Sequence, residues 1–374
     1  MTRAPSKTAA PAHYDVQLLF AVLFLVGIGI VMVYSASSAV AMKKFGSDTF
    51  FLKRQALFSG LGIVALVLFS HLPFRLYRAL TYPILFLALA LLLAVHVPGL
   101  GVSAGGSLRW LRFGSVNFQP VEAARLAMIT YLAYSLSKKQ ELLSDFSIGF
   151  IPHVLILLIF SVPLMLQPDF GSVVIFAALT WLMMFVAGVP TRHLMTALLV
   201  ILPATYMLMV NATYRLKRLI SFLDPWDYPA KEGYQIIHAL MAFGTGGLWG
   251  TGIGKGYQKL FYLPEPHTDF IFAVIGEELG FWGVMLILGL YAVLLWRGIR
   301  IAASCSDTFG MLMAAGITFA LALQFSINMG VCLGLLPTKG LTLPFLSYGG
   351  SSLLINMAAV GILMNVGAHH AKRA

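Results

Sequence analysis

The side chains best suited to chemistry sit in polar stretches between long apolar runs. Leu263-Pro264-Glu265-Pro266-His267-Thr268-Asp269-Phe270 sets Glu265, His267 and Asp269 at alternate positions just before such a run. A carboxylate at the rim of a membrane, ringed by loop cations, is placed to take a proton from a substrate hydroxyl. Asp269 is equally suited to cap the helix that begins there. The segment Gly334 to Ser352, GLLPTKGLTLPFLSYGGSS, carries Lys339, Ser347 and Ser351 among many glycines and prolines. Backbone of that composition is tolerated at membrane depth only where it is buried in protein or lines a cavity, so it reads as a substrate-facing wall.

Gly101 to Glu122, GVSAGGSLRWLRFGSVNFQPVE, is a loop rich in Gly, Ser, Arg and Trp that contains Arg109 and runs into an apolar segment at Pro120. Glu122 and Arg125 fall inside the first turns of that segment, where charge is costly and usually functional, although two residues three apart can simply pair with each other. Gln167-Pro168-Asp169-Phe170-Gly171 is a tight link in which Asp169 is as well placed for a helix cap as for a ligand. Gly244 to Gly256, GTGGLWGTGIGKG, holds Lys255, and its amides with one ammonium suit phosphate oxygens as well as they suit a re-entrant link; it lacks the GxxxxGK[ST] pattern of a P-loop. Residues 214–223, YRLKRLISFL, read as an interfacial helix with Leu216, Leu219, Ile220 and Leu223 on one face.

The elements that must hold these residues are membrane helices. The 374 residues are 59% hydrophobic and 10% charged with mean hydropathy +0.87, far below the roughly 25% charge of soluble domains. Segments 16–35, 56–72, 80–97, 120–136, 148–166, 171–189, 193–210, 270–295, 309–335 and 345–366 are each apolar and close to the roughly 20 residues a span needs. The reading is therefore an all-α polytopic protein of ten spans and one domain, 1–374, with tails at 1–15 and 367–374 and a large loop, 211–269, between spans seven and eight. The first run is too long for a signal peptide.

An even span count puts both termini on one side together with Arg3, Lys7, Arg75, Arg78, Lys138, Lys139, Arg192, Arg297, Arg300, Lys372 and Arg373, which marks that side as cytoplasmic. Six cations of the loop 211–269 (Arg215, Lys217, Arg218, Lys231, Lys255, Lys259) oppose the bias, and most acidic residues lie on the outer side with them. A net charge of +11 dispersed over loops suits anionic lipid or a phosphorylated substrate rather than nucleic acid. Cys305 and Cys332 have neither CxxC nor metal-ligand spacing.

The strings LPTKGLTLPFLSYGGSS and PEPHTDFIFAVIGEELG, with the R-W-x-R…QPxE loop, resemble the SEDS family (shape, elongation, division and sporulation proteins), polymerases of the peptidoglycan precursor lipid II. Thr338-Lys339-Gly340 is similar to its division and sporulation branch, whereas Val121 and Arg125 depart from that family's usual QPSE and following Lys. The resemblance implies a glycosyltransferase in the bacterial cytoplasmic membrane with both termini inside, acting on undecaprenyl-diphosphate-linked sugar. Its essential Asp maps to Asp269. The expected substrate contacts are Arg109, Glu122, Lys255, His267, Lys339, Ser347 and Ser351.

Expulsion of a diphosphate needs cations rather than an acid, so one general base and a cationic clamp suffice. A divalent cation (Mg or Mn) on Asp269 or nearby carboxylates is open, without a diagnostic ligand cluster. Implied partners are a class B penicillin-binding protein transpeptidase, other divisome membrane proteins and membrane lipids. Two other readings are a lipid II flippase, for which no pair of broken spans in matching halves is visible, and a scaffold that recruits the transpeptidase.

Overall fold

The computed structural model describes residues 14–104, 107–114, 116–210, 221–230, 233–260 and 262–371. Each of the ten apolar segments carries a helix: α1 (Val16–Phe45), α2 (Phe50–His71), α3 (Thr81–Ala94), α4 (Pro120–Lys138), α5 (Ile151–Leu166), α6 (Phe170–Ala187) and α7 (Thr191–Val210) precede the large loop. That loop contains α8 (Tyr234–Gly246), and α9 (Ile271–Ser304), α10 (Thr308–Cys332) and α11 (Gly350–Ala371) follow it. Among the described residues seven helices are long and apolar enough to cross a membrane, and α3 is a shorter apolar helix. The interfacial helix expected over 214–223 lies outside the described residues except at its last three positions, 221–223, which are helical.

Several helices run past the expected bounds, carrying polar residues beyond the apolar run. Ser35 and Ser37 of α1 are buried, and the helix continues to Phe45 before Gly46 closes it in the left-handed region at φ 69°. Asp15 caps α1 by accepting from the Leu18 amide at 3.0 Å and pairs with Arg297 of α9 at 2.6 Å, so the start of α1 and the end of α9 lie at one face, as an even span count requires. At the same end Asn365 of α11 accepts from the Phe74 amide at 2.9 Å and donates to the Ser70 carbonyl at 2.7 Å, closing the end of α2.

One segment expected as irregular loop is ordered differently. Residues 101–118 form a small antiparallel sheet of β1 (Gly101–Ala104), β2 (Ser107–Phe113) and β3 (Val116–Phe118), in the order β1-β2-β3. The alternation of Leu108, Trp110 and Arg112 with their neighbours fits a pleat, and Gly114 at φ 60° makes the second turn. Pro120 in the first turn of α4 sets the exit direction from β3. Ser351 at the head of α11 fastens this sheet down, accepting from the Gln119 amide at 3.1 Å and donating to the Asn117 carbonyl at 3.3 Å.

The second irregularity is in α9, which breaks at Gly280 (φ 64°, ψ −162°). The carbonyls and amides released there pair with the glycine-rich link after α8. The amides of Thr251 and Gly252 donate to the Glu277 and Glu278 carbonyls at 2.9 and 3.0 Å, and the Phe281 amide donates to Gly247 at 2.9 Å. The short helix 271–279 is thereby a separate piece, and Asp269 stands just ahead of it.

Candidate functional site

Two non-helical segments meet above the short helix 271–279. Residues 265–270 and 339–348 are stapled by Ser347, whose hydroxyl donates to the Thr268 carbonyl at 2.5 Å and accepts from the Leu343 amide at 2.8 Å. The Tyr348 amide donates to the His267 carbonyl at 2.8 Å. Asn328 of α10 completes the clamp by donating to the Asp269 carbonyl at 2.9 Å and the Leu341 carbonyl at 2.6 Å. These bonds use the backbone of Asp269 and leave its carboxylate out of helix capping, because the cap position of α9 is Phe270 with no side-chain cap bond.

The carboxylate lies against Gly340, where a built Cβ would sit 3.0 Å from Asp269 Oδ2. The neighbouring Lys339 extends the other way and packs its stem on Gly171, where a Cβ would fall 1.7 Å from Lys339 Cε. The glycines of the two motifs thus remove side chains where a carboxylate and an ammonium must pass backbone. Lys339 Nζ is buried without a hydrogen-bond partner. It sits by the start of α6, where Asp169 is the cap, accepting from the Ser172 amide at 3.2 Å and the Ser172 hydroxyl at 2.7 Å. Arg109 on β2 reaches the same link and donates to the Gln167 and Pro168 carbonyls at 3.4 and 2.7 Å.

Desolvation dominates the electrostatics. Asp269 is pushed up to about 7, first by desolvation and then by the Glu265 carboxylate, with the Arg109 charge and Thr268 acting in the opposite direction. Lys339 is pulled down to about 7, mainly by desolvation; Asp169 opposes that shift while Arg125 and Arg109 add to it. Burial lowers the His267 ring, whose Nδ1 has no partner. A half-buried carboxylate and an unpartnered, desolvated ammonium, both shifted toward neutrality, are the pattern expected of reacting groups rather than of struts.

The Arg109 charge acts on both Asp269 and Lys339, and His267 lies two residues from Asp269 in the same loop. Glu122 is one layer deeper, buried and paired with Arg125, and Gln324, with its amide oxygen facing the guanidinium, accepts from Arg125 at 2.7 and 3.0 Å. Self-pairing of Glu122 and Arg125 is thus what the fold uses, although Arg125 remains within electrostatic reach of Lys339. Ser347 and Ser351 commit their hydroxyls to the staples described above. Lys255 is exposed on the glycine-rich turn, and the amides of that turn hold carboxylates of the chain itself: Gly254 donates to Glu278 at 3.0 Å and Tyr257 to Glu277 at 2.7 Å. Sequence reasoning missed Asn328 and the Lys259–Glu278 pair, whose signal was polarity within or beside an apolar run. Among the described residues no group of three or more His, Cys, Asp or Glu could hold a metal ion.

With this geometry in view, comparison with known proteins is decisive. Residues 16–372 match the family model FtsW/RodA/SpoVE, described as cell cycle protein. The chain belongs to the FtsW/RodA/SpoVE family. Within the family it is 47% identical over 354 residues, 95% of this chain and 94% of the relative, to a probable peptidoglycan glycosyltransferase FtsW of Geobacter metallireducens. It is 45% identical to stage V sporulation protein E of Bacillus subtilis over 352 residues, 94% of this chain and 96% of that protein. Among solved structures, a chain of a peptidoglycan synthase complex that coordinates polymerisation and crosslinking superposes with TM-score 0.80 at 32% identity, covering 96% of this chain and 98% of that one. The rod shape determining protein RodA of Thermus thermophilus does so with TM-score 0.71 at 31% identity, covering 95% and 96%. This FtsW/RodA/SpoVE fold is membrane-embedded.

Proposed function

We propose that the chain is a peptidoglycan glycosyltransferase that polymerises lipid II at the outer face of the bacterial cytoplasmic membrane during septal wall synthesis. The observation that carries the mechanism is the half-buried Asp269 carboxylate, left out of helix capping and held against Gly340, with the Arg109 charge acting on it and the unpartnered Lys339 ammonium borne by the residue next to that glycine. The 4-hydroxyl oxygen of the acceptor sugar forms a bond to the anomeric carbon of the donor, and Asp269 takes the hydroxyl proton. The bond from that carbon to the polyprenyl diphosphate breaks, and the leaving oxygen keeps the electron pair. Lys339 and Arg109 neutralise the diphosphate, so no second carboxylate is required.

Support comes from the names of close relatives and from the chemistry of the cleft. Burial pulls the Lys339 ammonium toward neutrality and an arriving anion restores its charge, so its affinity for diphosphate is built into its isolation. Mg²⁺ or Mn²⁺ at the mouth would find Asp269 and Glu265 as carboxylate ligands, and no step is routed through it. A class B penicillin-binding protein is the proposed partner for crosslinking the product, both termini are proposed to be cytoplasmic, and other divisome membrane proteins to assemble around the pair. Transport is not favoured: among the described residues α9 is the helix with an internal break, and inverted-repeat transporters break spans in pairs. In a reconstituted lipid II polymerisation assay with the partner present, Asp269→Ala is expected to bind substrate and make no glycan. Substantial product would overturn the assignment.

A further inference from the structure

The outer turn joining α1 to α2 was passed over by the motifs, yet it presents a continuous file of aromatic rings that ends at the reactive loop. Phe45, 50% exposed, stacks on Phe50 with centroids 3.9 Å apart and planes 11° from parallel. Phe51 meets Phe50 edge-on at 5.3 Å and Phe45 at 5.8 Å. The same ring continues inward, lying 4.4 Å from the His267 ring and 5.0 Å from Tyr348. His267 is two residues from Asp269. The file is held in shape by Gly46 at φ 69° and by Tyr34, whose hydroxyl donates to Asp48 at 3.0 Å.

Its rim is cationic. Lys44, Lys53 and Arg54 are exposed around the rings, and the Arg54 guanidinium stands over Phe50 at 4.7 Å. Rings used only to anchor a helix in the headgroup zone gain nothing by connecting to the loop that carries the base. A rigid aromatic face costs little conformational entropy to use, and its apolar surface suits the C–H face of a pyranose ring. Cations at the edge complement carboxylates borne by the sugar substituents.

We propose that the α1–α2 turn, through Phe45, Phe50 and Arg54, is a binding surface for the amino-sugar chain, carrying the acceptor or product strand beside Asp269. The inference rests on the glycosyltransferase reading and adds to it a site for the polymer. Phe51, His267 and Tyr348 form its inner end, so strand position and base position are linked through one stack.

The test uses the full chain in detergent and a β-1,4-linked tetramer of N-acetylglucosamine as probe, with binding followed by saturation-transfer NMR. Wild type should bind saturably, Phe45→Ala and Phe50→Ala should weaken binding about tenfold, and Phe45→Trp, which keeps a ring there, should restore it. In the polymerisation assay with the partner, the two alanine variants should yield strands several-fold shorter. Unchanged tetramer affinity together with unchanged strand length overturns the proposal. Unchanged affinity with loss of co-purifying anionic lipid in native mass spectrometry also overturns it and assigns the patch to headgroups. The probe reading does not depend on turnover, so product from Asp269→Ala would sink the glycosyltransferase mechanism without deciding this one, and the reverse holds.

Discussion

Two clusters of this chain are built from the same residue types and treat them in opposite ways. At the break in α9, Glu278 is buried and saturated: Ser35 donates to it at 2.7 Å, Lys259 at 2.5 Å and the Gly254 amide at 3.0 Å. Glu277 beside it accepts from the Tyr257 and Gln258 amides at 2.7 and 3.2 Å. In the loops above, Lys339 Nζ is also taken from water and Asp269 partly so, but among the described residues neither has an ion-pair partner; Gly340 and Gly171 leave the two side chains room. Paired buried charge fixes structure, because removal of one partner strands the other. Unpaired buried charge is held ready for what arrives, and its protonation state stays adjustable near neutral pH.

The largest effect that would separate the clusters is on stability. Glu278→Ala leaves Lys259 buried and uncompensated and should cost on the order of 3–5 kcal/mol, read as loss of folded protein in detergent or a large drop in thermal midpoint. Adding Lys259→Met should recover much of it. Lys339→Met, at the other cluster, should leave the midpoint unchanged or raise it, because no partner is lost, while polymerisation falls roughly a hundredfold. If Lys339→Met unfolds the protein, the contrast between the clusters fails.

Acidity sharpens the same point. The base must be deprotonated and the diphosphate clamp protonated, so kcat/KM should rise with pH through the Asp269 value of about 7 and fall through the Lys339 value of about 7, a narrow bell near neutrality. Lys339→Met should flatten the alkaline limb and keep the acidic one. Gly340→Ala introduces a Cβ 3.0 Å from Asp269 Oδ2 and should lower kcat about tenfold or more by displacing the carboxylate, with little change in thermal midpoint. The smallest effect is at the staple: Ser347→Ala loses bonds to Thr268 and Leu343 and should cost about 1–2 kcal/mol.

How much was legible follows from these residues. Each of the ten apolar runs carries a helix among the described residues, since a span is a compositional signal, and the two motif loops stood out as polar, glycine-rich backbone where lipid would not tolerate it. The side chains facing one another were not legible, because that depends on packing across distant segments. Lys339 and Gly171 are far apart in sequence, and the lysine reaches the link that holds Asp169 only because Gly171 has no side chain. The glycine-rich turn suited phosphate in the sequence, but the carboxylates of Glu277 and Glu278 take those amides. The sheet at 101–118 was obscured by its shortness, with strands of 4, 7 and 3 residues between glycines.

The account turns on Asp269 being desolvated and without a cation paired to it, which its own titration reports most directly. With ¹³C-labelled aspartate in the full chain, and Asp269→Asn to assign the signal, the Asp269 carboxyl shift followed against pH should show a midpoint of about 7. A midpoint of about 4, that of an ordinary solvated aspartate, would contradict it.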